Sequence, residues 1–182
     1  MIGVLVSGRG TNLQALLDAD LPVVAVASNI GGARALERAR AAGIATGVFE
    51  LDDYASREAR DGAMADWLAD RGAELVVCAG YMHLLTPHFL DRFRAINVHP
   101  SLLPSFPGTR AVEEALAAGV GETGVTVHFV DEGIDTGPVI LQEAVRVLPG
   151  DSPDTLHARL QAVEHRLLPE AVRLYLAGAL RS

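Results

Sequence analysis

Cysteine is almost absent from this chain. The one example, Cys78, lies in the apolar run Leu75-Val76-Val77-Cys78-Ala79, which excludes a disulfide framework and a cysteine metal cluster and reads as a small buried hydrophobe suited to a reducing compartment. Basic charge is also short: 15 Lys and Arg face 23 Asp and Glu, giving a net charge of -8 and a pI near 5.1. A surface that tracks nucleic-acid phosphates needs clustered cations, so no nucleic-acid partner is expected, although a small anion can still bind locally. There is no His-Glu-x-x-His and no cysteine pair, so no metal is expected. The chain opens directly on Ile2-Gly3-Val4-Leu5-Val6 without a charged leader, and this run is too short for a signal or membrane segment. The expected location is cytoplasmic, with no membrane partner.

What is present is apolar and periodic. With 49% hydrophobic residues in 182, the chain can bury the core of one compact domain. Short β-branched runs alternate with helix-period segments, the pattern of βαβ units in an α/β fold with a mostly parallel sheet covered by helices. Strands are predicted at 2–7, 22–28, 74–80 and 95–99, and helices at about 11–19, 32–42, 56–71 and 86–93. Thr86-Pro87 suggests an N-cap followed by proline at the first helical position. Beyond residue 100 three prolines, Pro100, Pro104 and Pro107, predict a fixed non-helical loop. A helix at 110–118 stopped by Gly119 follows, then strands at 124–130 and 138–147 as an antiparallel pair. A last helix is predicted from Ser152-Pro153 to about Ala177, with Leu156, Leu160, Val163 and Leu167 on one face and a kink at Pro169.

Two places carry chemistry. Ser7-Gly8-Arg9-Gly10-Thr11-Asn12 falls where the first strand passes into the first helix, so its backbone N–H groups can converge on an anion such as phosphate. It lacks the Gly-Lys-Ser/Thr of a Walker loop, Leu13 replaces the third glycine of a dinucleotide fingerprint, and the second strand ends at Ser28-Asn29 without a ribose-binding acid. A tight packing turn with Thr11 or Asn12 as helix cap remains the alternative. The second place is Ile96-Asn97-Val98-His99-Pro100-Ser101. Two residues apart at a strand end, Asn97 and His99 project to one side, and two donors aimed at one point suit the oxygen of a tetrahedral acyl-transfer intermediate. Asp135, in a loop flanked by Gly133 and Gly137, can fold back towards them, and a carboxylate there favours the charged imidazole. Ser101 shows no sign of activation, which leaves direct attack by a substrate amine as the simpler chemistry. Taken singly, Asn97 could be a turn residue, His99 a core histidine and Asp135 a turn former; His128 reads as a strand residue alternating with Val127 and Phe129.

Together these stretches resemble a known family, the phosphoribosylglycinamide formyltransferases of folate-dependent purine biosynthesis. The resemblance rests on Ser7 to Gln14, Ala79 to Met82, Ile96 to Pro104, Val127 to Val130, Asp135 to Ile140 and Gln161 to His165, in order along nearly the whole chain. It implies a single-domain, Rossmann-like fold over 1–182, with phosphate bound in the N-terminal half, about 1–100, and the folate and catalytic loops and C-terminal helix in about 101–182. It implies that Gly10, Thr11 and Asn12 hold the ribonucleotide phosphate, that Glu164 lies near the glycinamide end, and that Asn97, His99 and Asp135 are catalytic. For the co-substrate 10-formyltetrahydrofolate it implies Arg57 near the tail and Met82, His83, Leu84 and Leu85 around the pterin, with Asn97 also touching the folate. The bland alternatives are an ordinary exposed Arg57, a core segment at 82–85 and a solvated Glu164. His83 stands where relatives often have arginine, and Thr109-Arg110 departs from the family's usual Leu/Ala-His. Three rivals stand beside this reading. A methionyl-tRNA formyltransferase adds a basic C-terminal domain, a formyltetrahydrofolate hydrolase adds an N-terminal one, and a silent nucleotide-binding module would bind without turnover.

Overall fold

The fold is given by a computed structural model that describes residues 1–180. The described chain falls into two units, Met1–Ile96 and the residues from Asn97 onward. In the first unit, β-branched and small apolar residues form β1 (Ile2–Val6), β2 (Val23–Ser28), β3 (Ala45–Val48) and β4 (Leu75–Cys78), with α1 (Thr11–Asp18), α2 (Arg34–Ala41) and α3 (Arg57–Ala69) in the connections. β1 pairs in parallel with β2 and β4, and β2 with β3. Both β1 and β4 are buried along their whole length, as expected of parallel strands covered on two faces, and Cys78 is buried at the end of β4.

Two local expectations need correction. β3 was not anticipated: Ala-Thr-Gly-Val is short and half exposed, so it carries neither an apolar run nor clean alternation. The helix expected over 86–93 is only α4 (Pro87–Leu90), with Pro87 in its first turn and no cap bond from the Thr86 side chain.

β5 (Arg94–His99) carries the Asn97–His99 pair at its end. The second unit continues with α5 (Ala111–Ala117), β6 (Glu122–Phe129), β7 (Val139–Arg146) and α6 (Pro153–Leu176). Gly119 follows α5 with φ 66°, the left-handed stop foreseen for it. β6 and β7 run antiparallel from Glu122↔Arg146 to His128↔Val139, with a register irregularity at Val127/His128. α6 opens on a capping box in which Ser152 accepts from the Thr155 amide at 3.2 Å while Thr155 Oγ1 accepts from the Ser152 amide at 2.9 Å, and the helix runs on past Pro169. Strand order is β3-β2-β1-β4-β5-β6-β7 in a mixed, mostly parallel sheet, the α/β class expected from the pattern, with the antiparallel pair at its C-terminal end. Among the described residues no helix is long and apolar enough to cross a membrane, and no group of three or more His, Cys, Asp or Glu is arranged to hold a metal ion.

Candidate active site

Asn97, His99 and Asp135 come together within the second unit. Asp135 Oδ2 lies 3.3 Å from His99 Nδ1 and accepts from the Gly108 amide at 2.8 Å, while Oδ1 accepts from Asn97 Nδ2 at 3.4 Å. His99 is buried, and its Nε2 donates to the Phe106 carbonyl at 2.7 Å. Both ring nitrogens therefore face acceptors, and only the doubly protonated ring satisfies the two at once. Asp135 adopts φ 54°, a left-handed conformation that Asp tolerates better than most side chains, and Phe106 does the same at φ 51°.

A fourth residue joins them that the sequence did not assign. His128 is buried, with Nε2 at 3.3 Å from Asn97 Nδ2 and 3.5 Å from Asp135 Oδ1, and Nδ1 at 2.8 Å from the Phe129 carbonyl. Nδ1 donates to that carbonyl, and Nε2 faces both the Asn97 amide and the Asp135 carboxylate, to which it donates when the ring carries its second proton. The only available signal was a titratable residue inside the apolar stretch Val127-His-Phe-Val, and strand alternation explained it away. Alternation fails here because β6 is buried continuously from Thr123 to His128, so both faces of the strand are covered.

The Pro-rich loop is held by short bonds from β6 and β7. Thr126 Oγ1 donates to the Ser101 carbonyl at 2.7 Å and accepts from the Leu103 amide at 3.1 Å, and Gln142 Nε2 donates to the Leu103 carbonyl at 3.1 Å. These bonds fix the backbone between His99 and Phe106, the kind of preorganisation a catalytic pair needs.

Burial alone would raise the Asp135 carboxyl, but the His128 hydrogen bond, the Gly108 amide and the charges of His99 and His128 outweigh it and hold the group below its usual range. A folded value below the unfolded one, about 3.9, means that the stabilisation is complete above that value and is lost as pH falls through the folded value. The expected result is a urea-unfolding advantage of the wild type over Asp135→Asn that is constant from pH 7 to 5 and narrows only below about pH 4. A gap that closes between pH 7 and 5 would contradict the lowered carboxyl.

In the first unit the loop expected to bind phosphate is shaped by packing at Gly10. Its φ is 77°, and a Cβ there would stand 2.6 Å from the Ala35 Cβ of α2. A Cβ at Gly8, in contrast, would meet nothing within 4 Å, although the Gly8 carbonyl accepts from the Ala35 amide at 3.0 Å, and the N-cap of α1 is Gly10 and not Thr11 or Asn12. Arg38 Nε donates to the Arg9 carbonyl at 2.8 Å, and Ser7 Oγ donates to Asn29 Oδ1 at 2.6 Å. The segment after β4 is not a core segment throughout: Met82 is 59% and Leu84 47% exposed, whereas Leu85 is 6% exposed. Arg57 is exposed at the start of α3, but its Nη2 donates to the Leu84 carbonyl at 2.5 Å. Glu164, on α6, is buried at 6% exposure, which overturns the solvated alternative.

Residues 1–172 match the family described as formyl transferase. The chain belongs to the formyl transferase family. It is 48% identical over 175 residues to the phosphoribosylglycinamide formyltransferase of Mycobacterium tuberculosis, covering 93% of this chain and 81% of that one, which places it among the relatives its motifs resemble. It is also 45% identical over 190 residues, 99% of the chain, to the trifunctional purine biosynthetic protein adenosine-3 of Drosophila pseudoobscura pseudoobscura, but spans only 14% of that protein's length. Among solved structures, glycinamide ribonucleotide transformylase 1 from Symbiobacterium toebii matches with TM-score 0.97 at 48% identity, covering 100% of this chain and 89% of that one.

Proposed function

We propose that this chain transfers the formyl group of 10-formyltetrahydrofolate to the amine of N1-(5-phosphoribosyl)glycinamide, a step of purine biosynthesis in the cytoplasm. The observation that carries the reading is the convergence of Asn97, His99 and Asp135 in a member of the formyl transferase family. The amine lone pair attacks the formyl carbon, and the new C–N bond turns the carbonyl oxygen into an oxyanion. Asn97 Nδ2 and the His99 imidazolium supply the two donors that this oxygen needs, which it takes in place of acceptors such as the Phe106 carbonyl. Asp135 balances the His99 charge and accepts, through water, the proton that the attacking nitrogen must lose. The C–N bond to the folate then breaks, and a proton returns to the leaving nitrogen.

Substrate contacts follow residue by residue. Backbone amides at Gly10, Thr11 and Asn12 are assigned to the phosphate, and Glu164 to the glycinamide end. Exposed Met82 and Leu84, with buried Leu85, offer apolar surface of the kind a flat pterin requires, with His83 for its polar groups and Arg57 for the anionic folate tail. Asn97 is assigned to the folate as well, on the family resemblance alone.

The deciding experiment is a spectrophotometric assay of 10-formyltetrahydrofolate consumption with and without glycinamide ribonucleotide. Consumption is expected only with the ribonucleotide. Formate release without it would point to hydrolysis, and binding of both substrates without turnover to a silent module.

A further inference from the structure

Arg60 and Asp61 are adjacent on α3 and both fully buried, an arrangement that costs desolvation of two charges and brings little net stability by itself. Arg60 Nε donates to Asp61 Oδ1 at 2.9 Å, and Nη2 lies 2.7 Å from the same oxygen. The remaining capacity of the pair is turned on one irregular segment of the chain. Asp61 Oδ2 accepts from the Thr86 amide at 2.9 Å, and Arg60 Nη1 donates to His83 Nδ1 at 2.6 Å. Two more bonds hold the same stretch: the Met82 amide donates to Ser7 Oγ at 2.9 Å, and Arg57 Nη2 donates to the Leu84 carbonyl. Met82, His83, Leu84 and Thr86, which lie in neither a strand nor a helix, are thus each tied to a neighbouring element.

We propose that Arg60 and Asp61 are positioning residues for the 82–86 segment, and that the Arg60–His83 bond makes this hold depend on a neutral His83 ring. The inference rests on the reading that Met82 to Leu85 line the folate site. A guanidinium has no acceptor, so a 2.6 Å contact to Nδ1 requires a lone pair there. A proton on Nδ1 ends the bond and sets two cations against each other. The groups facing the ring are Arg57, Arg60 and Asp61 from α3, Tyr81 of its own segment at 6.0 Å between ring centroids, and Asn29 beyond β2, whose Nδ2 lies 3.4 Å from Nε2. Burial first, then the charges of Arg60 and Arg57, push the His83 ring towards its neutral form against the opposite pull of Asp61. The bond is therefore complete above the ordinary histidine value of about 6.5 and is lost as pH falls through the lower folded value.

The test titrates tetrahydrofolate by calorimetry at pH 8 and pH 5.5, measures KM and kcat for 10-formyltetrahydrofolate, and follows amide exchange at Met82 and Thr86 in the full chain. The wild-type Kd is expected to weaken about threefold or more at pH 5.5, with faster exchange at both amides relative to intrinsic rates. His83→Leu should be weak at both pH values and raise KM far more than it lowers kcat. His83→Gln, whose amide oxygen accepts the Arg60 N–H at either pH, should remove the pH dependence, which also corrects for protonation of the folate itself. Wild-type exchange and Kd in His83→Leu at pH 8 would overturn the proposal while leaving the function intact. A wild type that does not bind tetrahydrofolate would overturn the folate reading instead, and amide exchange alone then decides whether the pair positions the segment.

Discussion

Asp135→Asn is expected to lower kcat about a thousandfold, on the order of 4 kcal/mol of transition-state stabilisation, with little change in either KM. Asn has the shape of Asp and also tolerates the left-handed φ of 54° at this position, so the loop should keep its course. What changes is the partner set. Oδ2 now accepts from the Gly108 amide at 2.8 Å and faces His99 Nδ1 at 3.3 Å. An amide has one oxygen where the carboxylate has two, so one of the facing donors meets an NH2 group, and the charge that stabilises the imidazolium is gone. Loss confined to kcat is the signature of an interaction made in the transition state and not on binding. Steady-state kinetics with both substrates checks it, and a near-normal kcat with an unchanged circular dichroism spectrum would end the role given to Asp135.

Gly137→Ala should be the most damaging single methyl in the loop that carries Asp135. A Cβ at 137 would stand 1.8 Å from the Phe129 carbonyl oxygen and 2.8 Å from its carbon, and backbone atoms cannot swing aside as a side chain can. The neighbouring Phe129 amide donates to the Pro138 carbonyl at 2.9 Å, so the shift must open the start of the β6–β7 pair. A cost of about 3 kcal/mol is expected from forced overpacking. In a chain of this size that lowers Tm by roughly 6–12 °C. Activity should fall with it, because Asp135 lies two residues upstream. Differential scanning calorimetry decides the matter, and Gly121→Ala, whose new methyl would meet nothing within 4 Å, is the matched control. Equal Tm values for the two variants would show that the loop moves freely.

The sequence shows the site more fully than it shows the sheet. Asn97 and His99 were legible because strand periodicity puts them on one side, and Asp135 because glycines beside it announce a turn. β3 was not legible: a four-residue strand at the sheet edge with a glycine in it has no pattern of its own and exists because β2 pairs with it. His128 was hidden for the opposite reason, since it fitted an apolar–polar alternation, whereas β6 is buried on both faces from Thr123 to His128. Nothing in the sequence singles out Arg60 and Asp61, because consecutive positions point in different directions on a helix. Only tertiary packing buries both. Gly10 had two competing explanations in the sequence, an anion cradle and a packing turn, and the close approach of Ala35 gives the packing one a concrete cause.

The backbone at Asp135 also bears on how the protein should respond to laboratory evolution. A residue other than glycine at φ 54° carries strain that glycine would relieve, and Asn fits that region as well as Asp does. At neutral pH the carboxylate's contacts with His99, Asn97 and the Gly108 amide outweigh that relief, so variants selected for heat resistance alone should keep the strained aspartate. Selection for turnover acts in the same direction, and under either pressure the gains should collect elsewhere.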